Sequence, residues 1–177
     1  MTFYHITLNS CADFDEHTVI IKDQLTSRIR ATNIGLVFGN WPIDDLFTSH
    51  PEFFCTERFK SLWSSDYRHF SGLEFDKITR VSTDSNWAEN YKEAIPGNYW
   101  HVNPKGVPFV DDIAVYSDFR FLIVSKRAVD FMLQNHASEI FGEIIDGSID
   151  DYFSEYKEKL KSSNYLYILP KLKQTLA

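Results

Sequence analysis

Two segments of this chain share one pattern, and this repetition limits the folds that the chain can adopt. Residues 53–63 (FFCTERFKSLW) and residues 122–132 (LIVSKRAVDFM) each have three apolar residues, then a hydroxyl residue, a charged residue and an arginine. The apolar run suits a short buried strand. The hydroxyl, Thr56 or Ser125, then stands where a helix needs an N-cap, because its oxygen can accept a free backbone N–H of the first turn. Each segment therefore predicts a strand followed directly by a helix.

The similarity extends beyond the two helices. Each predicted helix ends near a histidine, His69 or His136, and a second apolar stretch follows. The repeated unit is therefore a strand, a cap, a helix and another strand, over about residues 53–78 and 122–145. We expect the two units to be related by pseudo-symmetry, with Thr56 and Ser125 in equivalent positions.

The rest of the chain predicts further strands and helices. The predicted elements are strands at 2–8, 98–102 and 165–169, a strand and then a short helix within 15–37, a helix capped by Ser85, and a helix over 149–162 in which Ser148 and Asp151 form a capping box. A length of 177 residues fits one domain. We expect a single α+β domain over residues 1–177, with a mixed, mostly antiparallel sheet and packed helices.

The charge balance favours some partners over others. There are 25 acidic and 18 basic residues, and the formal net charge is −7. A nucleic-acid or anionic-membrane surface repels such a chain, whereas a cationic protein attracts it. The first residues lack the basic and long apolar regions of a signal peptide, and no apolar run has the length of a membrane span. The expected location is the cytoplasm.

Sequence motifs for catalysis and for metal binding are missing. The six histidines are scattered, with no HxxxH or HExxH pair, and Cys11 and Cys55 do not form a CxxC pair. The chain also lacks a GxSxG elbow, a GxGxxG loop and a P-loop. We therefore expect no metal, no cofactor and no catalytic residues. A small enzyme that uses carboxylates and a histidine in a cleft stays open as an alternative, as does an adaptor of a phage or surface-polysaccharide system.

The candidate binding residues are acids and one tryptophan. Aromatic residues make up 16% of the chain, and large rings flanked by charges are typical of tight protein interfaces. Gly39 and Pro42 place a tryptophan in a turn, and three acidic pairs follow apolar or turn-forming segments. The predicted binding residues are Trp41, Asp44, Asp45, Asp111, Asp112, Asp150 and Asp151.

Three segments carry a resemblance to a known family. They are FCTERF at 54–59, YWHVN at 99–103 and FLIVSKR at 121–127, the last of which matches best. In this order they resemble the immunity proteins that accompany bacterial polymorphic toxins, in the group named immunity protein 43 and its relative immunity protein 11. The resemblance covers about residues 50–145. It implies a cytoplasmic protein that binds a cognate toxin, such as a nuclease or another modifying enzyme, and blocks its active site.

Overall fold

The computed structural model describes residues 1–22, 24, 29–39, 44–90, 97–116, 121–135, 137, 139–163 and 169–173, with the backbone alone at 86, 88 and 90. The strands are β1 Phe3–Thr7, β2 Asp13–Phe14, β3 Val19–Lys22, β4 Ile29–Thr32, β5 Gly35–Phe38, β6 Leu46–Ser49, β7 Glu52–Thr56, β8 Leu73–Lys77, β9 Arg80–Thr83, β10 Tyr99–Pro104, β11 Ile113–Tyr116, β12 Phe121–Ser125 and β13 Phe141–Ile144. The helices are α1 Glu57–Ser65, α2 Ser85–Asn90, α3 Lys126–Gln134 and α4 Ile149–Ser162.

The two predicted N-caps are confirmed. Thr56 ends β7, and its hydroxyl oxygen accepts the backbone N–H of Phe59 at 3.3 Å in the first turn of α1. Ser125 ends β12, and its hydroxyl oxygen accepts the N–H of Ala128 at 3.3 Å in the first turn of α3. Both units then continue into a strand, β8 or β13, as the sequence predicts.

Two four-stranded sheets have the same arrangement. Their strand orders are β6-β7-β10-β8 and β11-β12-β1-β13, and every neighbouring pair is antiparallel. In each sheet a hairpin leads into the capped helix, and the strand after that helix pairs with an inserted strand. The inserted strands are β10 in the first sheet and β1 in the second, so the pseudo-repeat includes eight strands.

The inserted strands are exchanged between the repeats. In chain order, β1 precedes the first hairpin and β10 precedes the second, yet each lies in the sheet of the other repeat. Their sequences, FYHIT and YWHVN, match by residue type at each position. Their registers also correspond, because Phe3 pairs with Ser125 and Tyr99 pairs with Thr56. The chain therefore consists of two consecutive repeats that swap their first strands.

The main hydrophobic core lies between the repeats. It contains buried side chains from both capped helices, among them Phe59 and Trp63 of α1 and Phe131 of α3. The ring of Phe131 stands edge-on to both, with centroids 6.3 Å from Phe59 and 5.7 Å from Trp63. Because truncating a buried aromatic costs about 3–5 kcal/mol, this cluster contributes strongly to the union of the repeats.

The α+β prediction with mostly antiparallel pairing is confirmed, although the strands form several sheets rather than one. A three-stranded sheet has the order β2-β5-β9, in which β5 and β9 are parallel, and β3 and β4 form a two-stranded ribbon. The strands predicted at 2–8 and 98–102 are β1 and β10, and the helix predicted over 149–162 is α4. Ser148 caps α4 by accepting the N–H of Asp151 at 3.1 Å.

The prediction of a short helix within residues 15–37 is wrong for the described part of that segment. Ile29 lies in β4 and pairs with Lys22 of β3, so this part of the segment is a two-stranded ribbon. The cap predicted for α2 also differs. The Trp87 N–H donates to the Asp84 carboxylate at 3.1 Å, because Asp84 rather than Ser85 precedes the first turn. The strand predicted at 165–169 falls mostly outside the described residues.

Candidate binding surface

Two of the predicted binding acids, Asp45 and Asp112, occupy equivalent positions behind the N-caps. The backbone carbonyl of each accepts the N–H of its cap residue, at 2.9 Å from Thr56 and 2.8 Å from Ser125. Each carboxylate also accepts a hydrogen bond from the hydroxyl of the same cap residue. An arginine in the first turn, Arg58 or Arg127, donates to the same carboxylate. In each repeat these hydrogen bonds among an aspartate, the cap hydroxyl and an arginine therefore fix the start of the capped helix.

Asp112 is a buried residue rather than a surface acid, and its role in binding stays a prediction. The residue is only 1% exposed, and Ser125 donates to its carboxylate at 2.6 Å. Burial opposes ionisation, but hydrogen bonds from Arg127, Ser125 and the Ser71 N–H outweigh it and lower the pKa of the Asp112 carboxyl. Removing one partner of such a buried ion pair is strongly destabilising, so Asp112 has a structural role at the start of α3.

Asp45, Asp44 and Asp111 also have partners within the chain. The Asp45 side chain is 18% exposed beside Arg58. Asn9 donates its side-chain amide to Asp44 at 2.9 Å, and the Val107 N–H donates to the Asp111 carboxylate at 2.8 Å. All three residues are partly buried, so they order loops as well as carrying charge.

Asp150 and Asp151 are exposed in the first turn of α4. The hydroxyl of Tyr116 donates to Asp150, and the hydroxyl of Ser148 donates to Asp151 at 2.6 Å. Acids at a helix N-terminus are stabilised by the helix dipole, which accounts for this placement without a partner. Their role in binding stays a prediction. Trp41 lies outside the described residues.

The ribbon of β3 and β4 exposes apolar side chains that the sequence did not single out. Val19, Ile20 and Ile21 are 50%, 49% and 36% exposed, although they are consecutive in one strand. Successive side chains point to opposite faces of a strand, so both faces of the ribbon are open. In the described part of the chain β3 pairs only with β4, and its outer edge is unpaired. A run of β-branched residues predicts a strand equally well whether it is buried or exposed, which is why this surface was missed.

Glu52 fastens the ribbon to the first four-stranded sheet. Its Oε1 accepts the backbone N–H of Ala31 in β4 at 2.8 Å, and its Oε2 lies 2.9 Å from Nε2 of His101 in β10. The carboxylate is buried, with Glu52 only 2% exposed. Glu52 therefore holds β4, and within the described residues β3 lies on the outer side of the ribbon.

An ion pair holds the base of the ribbon. Arg80 donates to the Asp15 carboxylate at 2.8 Å and to the side-chain oxygen of Asn33 at 2.7 Å. The hydrogen bond from Arg80 lowers the pKa of the Asp15 carboxyl below its usual range. Asp13 and Glu16, on either side of Asp15, are exposed. The apolar strand thus projects from a base with two solvent-facing acids.

Another exposed apolar segment lies between β10 and β11. Val107 and Val110 are largely exposed, and Phe109 has a left-handed backbone with φ of 64°. The Phe109 ring packs edge-on against Phe3 with centroids 5.1 Å apart, which ties the segment to the second sheet. This segment is thus held by a strand of the second sheet, whereas Glu52 of the first sheet holds the ribbon.

Comparison of the chain with protein-family models, curated proteins and solved structures found no match. Within the described residues, no helix is long and apolar enough to cross a membrane. The same part of the chain contains no group of three or more His, Cys, Asp or Glu side chains that could hold a metal ion. Cys11 and Cys55 are buried free thiols. His69 is exposed after α1, and His136 is outside the described residues.

Proposed function

We propose that this chain is an immunity protein that binds a cognate bacterial toxin and occludes its active site, with β3 of the ribbon as the centre of the contact. The observation that carries the proposal is the exposure of Val19, Ile20 and Ile21 on β3, which in the described part of the chain pairs with β4 alone. Soluble proteins place scattered apolar residues on their surfaces, but a contiguous apolar strand is typical of an interaction site.

Such a strand offers two kinds of contact. Its aliphatic side chains lose their remaining exposure on binding, and each then contributes about 1 kcal/mol, roughly half of the value for burying a whole side chain. Its outer edge, which has no paired strand among the described residues, can accept a strand from the toxin. Because Glu52 and Arg80 hold the ribbon in place before binding, less ordering entropy opposes the association.

The charge of the chain supports a cationic toxin domain as the partner. The formal net charge is −7, and the exposed Asp13 and Glu16 lie next to the ribbon. A toxin that acts on nucleic acid or nucleotides needs a basic cleft, so an acidic inhibitor is attracted to that cleft at long range. The resemblance to toxin-immunity proteins leads to the same class of partner.

The test uses the gene next to the one that encodes this chain. The proposal predicts a large secreted protein whose C-terminal domain arrests growth when it is expressed alone in the cytoplasm, and predicts that co-expression of this chain restores growth. Ile20→Lys should abolish the protection, because it places an amine in the apolar contact. Val110→Lys is the matched control, since it makes the same kind of change at an exposed position outside the ribbon.

The outcomes of this experiment are distinct. Rescue by the wild-type chain and by Val110→Lys, but not by Ile20→Lys, supports the ribbon as the contact. Rescue by all three chains contradicts the role of the ribbon and leaves the immunity function standing. Failure of the wild-type chain to protect against the neighbouring toxin contradicts the immunity function itself.

A further inference from the structure

A pocket of about 220 Å³ opens between the two repeats. The second repeat's sheet provides His5 and Leu122, the first provides Phe53, and α4 provides Tyr156. Phe121 completes the ring-lined wall. Among the described residues that line the pocket there is no Asp, Glu, Lys or Arg. The walls are therefore suited to an uncharged molecule.

A chain of hydrogen bonds sets the tautomer of His5. The hydroxyl of Tyr152 donates to Oε1 of Glu143 at 2.7 Å, so its hydrogen is already used. The oxygen of Tyr152 lies 3.1 Å from Nδ1 of His5 and accepts a hydrogen bond from the N–H of that nitrogen. Nδ1 thus carries the hydrogen, and Nε2 has a free lone pair. Burial lowers the pKa of His5 to about 3, so the ring stays neutral near pH 7.

In the other sheet, Nε2 of the equivalent histidine, His101, has a carboxylate partner. His101 holds the position in β10 that His5 holds in β1, and its Nε2 contacts the carboxylate of Glu52, the first residue of β7. The first residue of the equivalent strand, β12, is Phe121. The Phe121 ring lies edge-on to His5, 5.2 Å between centroids, and offers no hydrogen bond. The hydrogen bond that His5 makes in the described part of the chain uses Nδ1, and Nε2 has no partner there.

The size and walls of the pocket limit the ligand. Sites for drug-sized ligands usually measure about 300–1,000 Å³, whereas an apolar cavity of about 150 Å³ holds one benzene ring. A volume of about 220 Å³ therefore fits one ring with a substituent or a fused pair of rings. Aromatic walls favour an aromatic guest, since rings pack well edge to face.

We propose that this pocket binds a neutral aromatic molecule of one or two rings whose N–H or O–H group donates a hydrogen bond to Nε2 of His5. This small-molecule site is independent of the toxin-binding proposal, because the ribbon residues do not line it. Nε2 of His5, which has no partner among the described residues, supplies the specificity, since an acceptor in an apolar pocket favours a ligand that can donate to it over one that cannot.

The experiment compares ligands that differ only in the donor. Purified full-length protein labelled with ¹⁵N-histidine is titrated with indole and with 1-methylindole, and in parallel with phenol and with anisole. We expect indole or phenol to bind with a dissociation constant on the order of 1 mM or tighter. The Nε2 resonance of His5 should move on binding, and the methylated partner should bind at least about tenfold more weakly.

Two results overturn the proposal. Either neither donor binds, or each methylated compound binds as tightly as its parent. A variant provides a further comparison, because Phe121→Gln places an amide donor where Glu52 stands in the other repeat. The variant should satisfy Nε2 and weaken the binding of indole. If this variant does not fold, the comparison of ligands on the wild-type protein still decides the matter.

Discussion

Oε2 of Glu52 lies 2.9 Å from Nε2 of His101, while the other oxygen of the same carboxylate accepts the backbone N–H of Ala31. One buried side chain thus joins the inserted strand of the first sheet to the ribbon. The ribbon exposes its apolar residues on β3, the strand that pairs with β4. A rigid anchor on one strand leaves the neighbouring strand free to make a contact.

Glu52→Ala should loosen the ribbon. The Ala31 N–H loses its acceptor, so its hydrogen exchange should become faster by at least about tenfold, since a buried hydrogen bond to a charged group is worth about 1.5–3 kcal/mol. Exchange of the amides of α3 serves as the internal control and should change little. Equal acceleration in α3 would mean that Glu52 supports the whole fold rather than the ribbon.

Ser125→Ala should destabilise the protein by about 1–2 kcal/mol, because it removes the N-cap of α3 and one hydrogen bond to Asp112. Thr56→Ala should have a similar effect at α1, since it occupies the equivalent position. Urea unfolding measures both changes. Ser64→Ala, at an exposed position in α1, is the control and should alter the free energy of unfolding by less than about 0.5 kcal/mol. A cap variant as stable as the control would contradict the capping role.

The pH dependence of Asp112 has a definite sign. Its pKa is lowered in the folded protein, so its stabilising contribution is present above the unfolded pKa of about 3.9 and is lost as the pH falls through the folded pKa. Asp112→Asn should be clearly less stable than the wild type at pH 7. The difference in the free energy of unfolding should shrink as the pH falls below about 4. A difference that is the same at pH 7 and at about pH 3 would contradict this account.

Protonation of His5 destabilises the folded protein, because burial disfavours the charged ring. Its pKa is lowered by burial to about 3, so the unfolded chain binds a proton more readily between that pH and about 6.5. Acidification from pH 7 to pH 5 should therefore cost roughly 2 kcal/mol of stability through this residue. His5→Gln lacks the titration, and its unfolding free energy should fall less over the same interval. Parallel losses in both proteins would show that His5 is not responsible.

Local chemistry explains which elements could be predicted. The caps at Thr56 and Ser125 follow from hydroxyls placed before helical stripes, because an N-cap is satisfied within its own turn. The exchange of β1 and β10 involves pairing between residues far apart in the chain, so it has no local signal. The similarity of FYHIT and YWHVN is the one sequence feature that relates these two strands. The burial of Asp112 depends on Arg127 and on Ser71 of the other repeat, which the sequence does not place together. The pocket depends on the same long-range assembly.

Association with the proposed toxin should depend on salt and on the acids beside the ribbon. Asp13→Lys with Glu16→Lys should slow association at low salt, because these exposed charges help to steer a cationic partner. Replacing Glu155 and Glu158 of α4 by lysine changes the net charge equally and is the matched control. Stopped-flow measurements at low and high salt compare the two. Equal slowing in both variants would show that net charge matters and its location does not.

The dissociation constant of the purified toxin domain for this chain tests the central claim most directly. We predict tight binding to the wild-type chain and to Val110→Lys, and binding at least about 30-fold weaker, or about 2 kcal/mol, to Ile20→Lys, as for a residue at the centre of an interface. Circular dichroism should show the three chains equally folded. Equal affinity of all three, or no binding by the wild-type chain, would contradict the claim that the ribbon is the working surface of this protein.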